Sequence, residues 1–194
     1  MKDAGTRGRP RRAETDHRLM SAALELLRER GPAAVTIDGV TARSGVARTT
    51  IYRRFTSRRE LLAAAIAAVV DRPLPPGDLS LEAKLRWELG QVRELFDSGL
   101  GKGALGAILD EADPEFTGPL RRALESRLEP LREQIEADMD AGRVARRTDP
   151  DVVVDLLLGA YLAEVLRHGA PRDAWVGDTV DFFIRALAPR PDAG

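Results

Sequence analysis

Apolar positions recur at helical spacing along the chain and do not alternate as they would in a half-buried strand. Between Ala13 and Arg30, Leu19, Ala23, Leu26 and Leu27 fall on one face, and Gly31-Pro32 ends the run. Thr36 is a good N-cap for a second helix that turns Ile37 and Val40 inward. A turn at Ser44-Gly45 then leads into "GVARTTIYRRF", Gly45 to Phe55, where only Val46, Ile51 and Phe55 can face a core. Ser57 caps a fourth helix striped by Leu61, Leu62, Ala65, Ile66 and Val69. The stretch "DRPLPPGD", Asp71 to Asp78, carries three prolines and a glycine and breaks the helix on both sides.

Beyond that break the pattern stays helical. Leu85, Leu89, Val92 and Phe96 make one stripe. Leu120, Leu124, Leu128, Leu131, Ile135 and Met139 make another, with a kink expected at Pro130. From Val152 to Leu166 the chain is apolar on nearly every side, so this helix must be covered all round. A last helix, Arg172 to Leu187, aligns Val176, Val180, Phe183 and Leu187, with Trp175, Phe182 and Ala186 on a neighbouring face. Two wide apolar helices at the end of a short chain suggest a second copy of the chain as cover, the alternative being a deep core within one chain. The dimer surface is assigned to Val153, Leu156, Leu157, Ala160 and Glu164 on the first helix, and to Val176, Val180, Phe183 and Leu187 on the second. The expected fold is all-α, divided into a basic arm (1–12), a helix-turn-helix domain (13–72) and a helical domain (73–194) for effector binding and dimerisation.

Charge changes this picture more than composition does. The net charge is −1, yet residues 1–72 hold 15 Lys and Arg against 8 Asp and Glu, while residues 73–194 hold 15 against 23. A basic third on an acidic remainder suits a polyanion-binding module joined to something else, and equally a solvated surface that is merely uneven. There is no cysteine and only two histidines, His17 and His168, which leaves thiolate metal sites and histidine triads without ligands. No cofactor loop or nucleophile–base pair is visible, so neither an enzyme nor a bound metal or cofactor is expected. The longest uncharged run, "LLAAAIAAVV", is ten residues long, about half of the ~20 that a membrane span needs. A cytoplasmic location is expected.

A helix from Thr36, a glycine turn and a short second helix make a helix-turn-helix. With Val46, Ile51 and Phe55 inward, Arg48, Thr49, Thr50, Tyr52 and Arg53 are left outward. Arginine pairs with guanine edges or phosphates, and threonine bonds phosphate or packs on a thymine methyl. Tyrosine reaches a phosphate through its hydroxyl. A merely solvated helix would account for the arginines but not for the short helix after a tight turn.

The segment "VTIDGVTARSGVARTTIYRRFTSRRELLAAAI", Val35 to Ile66, resembles the DNA-binding segment of the TetR repressors, and with the preceding "LMSAALELLRERG" the resemblance covers about residues 15–70. It rests on the Thr36 cap, the Gly45-Val46 turn, the Thr50-Ile51-Tyr52 run, Phe55, and Ser57-Arg58 before Leu61-Leu62. The resemblance implies a homodimeric transcriptional regulator, usually a repressor that a small ligand releases from a palindromic operator. It also implies roles: Thr36 and Tyr52 on phosphates, Arg48, Thr49, Thr50 and Arg53 on bases or nearby phosphates, and Arg58 on a phosphate where the family usually has lysine. Three positions depart from it: Thr41 for a packing alanine, Gly39 inside a helix at a cost of about 1 kcal/mol relative to alanine, and Ala47 for a capping serine.

In the arm, "RGRPRR" places Arg7, Arg9, Arg11 and Arg12 on what reads as an extended backbone, suited either to a narrow minor groove or to a sequence-blind basic tail. "DEADPEF", Asp110 to Phe116, reads as a helix end and a helix start, with Asp113 capping and Glu115 complementing the dipole, rather than as a cation site. Trp87, Phe96, Phe116, Tyr161 and Trp175 are the candidate walls of an effector pocket, each equally explicable as core. Asp155 and Glu164 could face a cationic ligand or pair across a dimer. The expected partners are double-stranded DNA, a second copy of the chain and a small effector. The competing function is a sequence-tolerant architectural DNA-binding protein without a ligand.

Overall fold

The caps and breakers read from the sequence delimit most of the helices in the computed structural model, which describes residues 8–111 and 113–189. Before the proline-rich break lie α1 (Gly8–Arg30), α2 (Ile37–Ser44), α3 (Arg48–Tyr52) and α4 (Arg58–Val70). After it come α5 (Leu81–Glu94), α6 (Lys102–Asp110), α7 (Pro114–Asp140), α8 (Pro150–His168) and α9 (Trp175–Leu187). Among the described residues there is no strand, and the fold is all-α as expected.

Packing gathers these helices into two units. The first holds residues 8–71 together with the described residues of Phe96–Leu124. In it α1 packs on α2, α4 and α6, and α2 packs on α3. The facing side chains are the predicted stripes: Leu19, Ala23, Leu26 and Leu27 of α1 and Leu61, Leu62, Ala65 and Ile66 of α4 are all buried. Each buried leucine contributes roughly 1.5–3 kcal/mol relative to an exposed one, enough to hold short helices that would not persist alone. At the start of α6, Gly101 has φ +80°, and a Cβ there would lie 3.0 Å from the Arg28 Cα. Arg28 Nη1 donates to the Ser98 carbonyl at 2.9 Å beside it.

The second unit holds Arg72–Leu95 and residues 125–189. Here α5 packs on α8 and α9. Leu85, Leu89, Val153, Leu157, Val180, Phe183 and Leu187 are buried, and Tyr161 meets Trp175 edge to face at 6.0 Å.

Three features differ from the sequence reading. Helix α1 reaches back to Gly8, so Arg9, Arg11 and Arg12 lie in helical backbone rather than in an extended arm, while Arg7 lies outside the described residues. Pro10 is tolerated there because the first N–H groups of a helix have no intrahelical partner. The helix end read at Asp110 is that of α6 (Lys102–Asp110), whose body the hydrophobic pattern does not mark. Helix α7 is assigned as one helix from Pro114 to Asp140, with Pro130 inside it. Finally, the packing units cut across the division at 72/73, because residues 96–124 pack with the N-terminal helices.

Candidate nucleic-acid interface

The helix-turn-helix is built by caps and two anchors. Thr36 Oγ1 accepts from the Gly39 N–H at 2.9 Å and starts α2. Gly45, at φ 66°, ends it in the left-handed region that glycine enters without strain. Ser44 Oγ then accepts from the Val46 N–H at 3.1 Å. Val46 and Ile51 are buried and hold α3 against α2, whereas Phe55 is half-buried. Helix α3 has only five residues and no side-chain cap at Ala47, as the missing serine implied.

This leaves Arg48, Thr49, Tyr52 and Arg53 exposed and Thr50 half-buried. Arg48 pairs with Asp38 at 2.7 Å, donates to the Tyr52 hydroxyl at 3.3 Å and lies 5.5 Å from the Tyr52 ring centroid. The Tyr52 hydroxyl and the Asp38 charge raise the Arg48 pKa further, so its guanidinium stays a cation. The surface therefore presents hydroxyls, a phenol and arginines on one short helix, a set that can donate to phosphates and base edges. Thr41 is accommodated because its hydroxyl donates to the Ile37 carbonyl at 2.7 Å within the helix. Sequence reasoning missed the arginines that brace this face from behind. Arg43 is paired with Glu29 at 2.6 Å and Glu25 at 3.2 Å, and Arg18 donates to the Ser44 carbonyl at 2.5 Å. Their only sequence signal is opposite charges on facing helices.

Arg58 departs from its expected role. It was assigned to a phosphate, but its guanidinium is turned into the first unit. It lies bidentate on Asp113 at 2.5 and 3.0 Å and on Glu115 at 2.8 Å, and it donates to the carbonyls of Pro32 and Val35 at 2.7 and 2.8 Å. Asp113 also accepts from the backbone N–H groups of Glu115 and Phe116, so it caps α7 as read from the sequence. The Arg58 guanidinium, followed by those N–H groups, holds the Asp113 carboxyl below the usual carboxylate range. Among the described residues no cluster of three or more His, Asp or Glu could hold a metal ion.

Of the aromatic residues proposed as pocket walls, Tyr161 and Trp175 meet within the second unit. Phe96 and Phe116 are buried in the first unit, and Tyr161 and Trp175 are buried in the second, where Trp87 is exposed. None of them lines the cavity of the second unit, which measures about 30 Å³, room for about one water molecule. Its walls mix Leu81, Leu85, Leu131, Ile135, Val153 and Leu157 with Lys84, Glu88, Gln134 and Asp138. Lys84 Nζ reaches both Asp138 oxygens at 2.8 and 2.9 Å, and Arg127 Nη2 reaches both Glu88 oxygens at 3.1 Å. Burial pushes the Glu88 carboxyl above its ordinary range, against the opposing pull of Arg127. Gln134 donates to the Pro75 carbonyl at 2.8 Å, while its Oε1 and Arg127 Nη1 are buried with no hydrogen-bond partner among the described residues. These polar lining groups were invisible to sequence reasoning, since each looks like an ordinary charge on an amphipathic helix.

Several residues assigned to a dimer surface are interior to the single chain. Val153, Leu157, Val180, Phe183 and Leu187 are core, because that face of α8 and α9 packs on α5. Glu164 is buried against Arg172, whose Nε donates to it at 2.5 Å and holds the carboxyl below its usual range. Ala160 and Val176 are half-buried. Leu156 alone of the set is exposed, and it shares the open surface of α8 with Val152, Ala163 and Leu166. On α9 the open apolar residues are Phe182, 58% exposed, and Ala186. Asp155 is exposed as well.

Residues 19–65 match the bacterial regulatory proteins of the tetR family, and residues 75–183 match the tetracyclin repressor-like C-terminal domain. The chain is 30% identical over 172 residues to the HTH-type transcriptional regulator Rv1556 of Mycobacterium tuberculosis, covering 86% of this chain and 82% of that one. In structure it is similar to a putative TetR-family transcriptional regulator from Rhodococcus sp. at TM-score 0.72, with 17% identity and coverage of 91% of this chain and 100% of the other. It is also similar to the regulator FadR from Bacillus subtilis, solved in complex with stearoyl-CoA, at TM-score 0.69, with 14% identity and coverage of 88% and 98%. No helix among the described residues is long and apolar enough to cross a membrane.

Proposed function

The chain belongs to the TetR family of bacterial transcriptional regulators, and from that premise we propose that it is a homodimeric repressor released from a palindromic operator by a small effector. The observation that carries the reading is the outward face of α3, where Arg48, Thr49, Tyr52 and Arg53 stand exposed on a helix anchored by buried Val46 and Ile51. These side chains, with half-buried Thr50, contact bases and phosphates of the major groove, and Thr36 bonds a phosphate at its edge. The arginines at the start of α1 add sequence-independent attraction to the duplex. Two copies join through the open apolar residues of α8 and α9 and set their recognition helices one DNA turn apart, about 34–36 Å or a multiple of it. An effector with an aliphatic body and a polar head matches the mixed chemistry of the cavity walls in the second unit, but it must widen that cavity well beyond its present volume of about 30 Å³ to enter. It releases the operator only if it binds the released conformation better than the DNA-bound one.

The test is to incubate the purified full chain with fragments of genomic DNA at physiological salt and sequence what is retained. A few sharply enriched sites sharing a palindrome are expected. Diffuse retention without a shared motif would overturn operator recognition in favour of an architectural role.

A further inference from the structure

We infer that Arg58 is a joint through which helix α7 acts on the DNA-binding helices, and not a phosphate ligand; this rests on the DNA-binding reading above. A guanidinium has five N–H donors. All of those of Arg58 are used inside the first unit: Nε on Val35, Nη1 on Asp113 and Glu115, Nη2 on Pro32 and Asp113, at 2.5 to 3.0 Å. None is left for DNA. The fork also joins three segments. Pro32 and Val35 belong to the turn that ends at Thr36, the cap of α2. Arg58 itself is the first residue of α4. Asp113 and Glu115 belong to the start of α7, where Asp113 is fixed by the backbone N–H groups it caps.

A displacement of the first turn of α7 therefore moves the guanidinium, and with it the turn that positions Thr36. Helix α7 is continuous from Pro114 to Asp140, and its later residues Leu131, Gln134, Ile135 and Asp138 line the cavity of the second unit. Arg58 is a positioning residue in this scheme. Lysine at this place keeps the charge but lacks the planar fork, and cannot hold two carbonyls and a bidentate carboxylate together.

The test uses the full chain as wild type, Arg58→Lys, Asp113→Asn and the double variant, with a random-sequence DNA duplex as probe. Duplex binding is measured by fluorescence anisotropy across a salt series, and hydrogen exchange of residues 114–124 is measured with and without the duplex. The joint predicts that each single variant binds roughly tenfold more weakly with an unchanged salt slope, and that the double variant is no weaker than either. It further predicts that DNA protects residues 114–124 in the wild type but not in Arg58→Lys, a response that a loss of general stability does not remove. Should Asp113→Asn fail to fold, Glu115→Gln, which loosens one bond of the five, shows the same pattern at smaller amplitude.

A phosphate-binding Arg58 predicts the opposite signs. Arg58→Lys would then bind like the wild type, and Asp113→Asn would free a cation, tightening binding and steepening the salt slope by about 0.9. Either result overturns the joint, as does an α7 whose exchange ignores DNA in the wild type. A wild type that binds no duplex at all would overturn the DNA-binding reading itself.

Discussion

Gly39 shows how far a single position can mislead. Judged by helix propensity, glycine inside α2 is a defect of about 1 kcal/mol that alanine would repair. In the folded chain, however, a Cβ at this position would lie 2.7 Å from the Ala34 carbonyl oxygen and 3.2 Å from Thr36 Oγ1. Neither neighbour is free to yield, since one is backbone and the other is the capping hydroxyl. Gly39→Ala is therefore expected to destabilise the protein by ~1–3 kcal/mol, the usual range for forced overpacking. Urea unfolding checks the sign, and a more stable variant would mean that the turn at Ala34–Thr36 relaxes. Thr36, Ser57 and Gly45 were readable in the sequence because caps and left-handed turns act over three or four residues. The role of Arg58 was not, because its acidic partner Asp113 lies 55 residues away.

At the scale of the element, existence was easier to read than orientation. The amphipathic stripes of α1, α4 and α5 named their own buried faces. The sequence marks the end of α6 at Asp110 but not its body, because "GKGALGAIL" offers glycines in place of a polar face, so no helical period stands out. In α8 the apolar residues surround the axis, and α9 has two adjacent apolar faces, so the sequence pattern does not choose between packing inward and packing on a partner. The chain resolves this by burying Val153, Leu157, Val180, Phe183 and Leu187 and leaving Val152, Leu156, Leu166 and Phe182 in the open. An acidic residue on the open face should break a dimer without disturbing the core. Leu156→Asp combined with Phe182→Asp is expected to yield a folded monomer with thermal stability close to that of a dilute wild type. Binding to any palindromic site should fall by at least about a hundredfold, because the two half-sites no longer share one binding event. Sedimentation and anisotropy measure the two effects separately. A dimer that survives both substitutions would place the interface elsewhere.

For the molecule as a whole, acid response is where buried charge becomes measurable. Desolvation raises the Glu88 carboxyl above its ordinary value of 4.5, the Arg127 guanidinium only partly opposing it. The folded chain therefore takes up the Glu88 proton before the unfolded chain does. Between the raised value and about 4.5 the native state binds more protons, so acidification from neutral pH adds stability there. Asp113 works the other way. Its carboxyl is held below the ordinary 3.8 by Arg58, so the unfolded chain is protonated first, and stability is lost as pH falls below about 4 toward the lowered value. Other carboxylates held low by hydrogen bonds, Glu60 at the start of α4 and Glu164 against Arg172, add to that acid loss. Stability should therefore peak in mildly acidic solution and collapse steeply below it. Glu88→Gln isolates the first effect. Its melting temperature is expected to lack the rise that the wild type shows between neutral pH and about 4.5, while both proteins lose stability together at lower pH. Thermal melts across pH decide it, and parallel curves over the whole range would mean that water reaches Glu88 and keeps its carboxyl near its ordinary value.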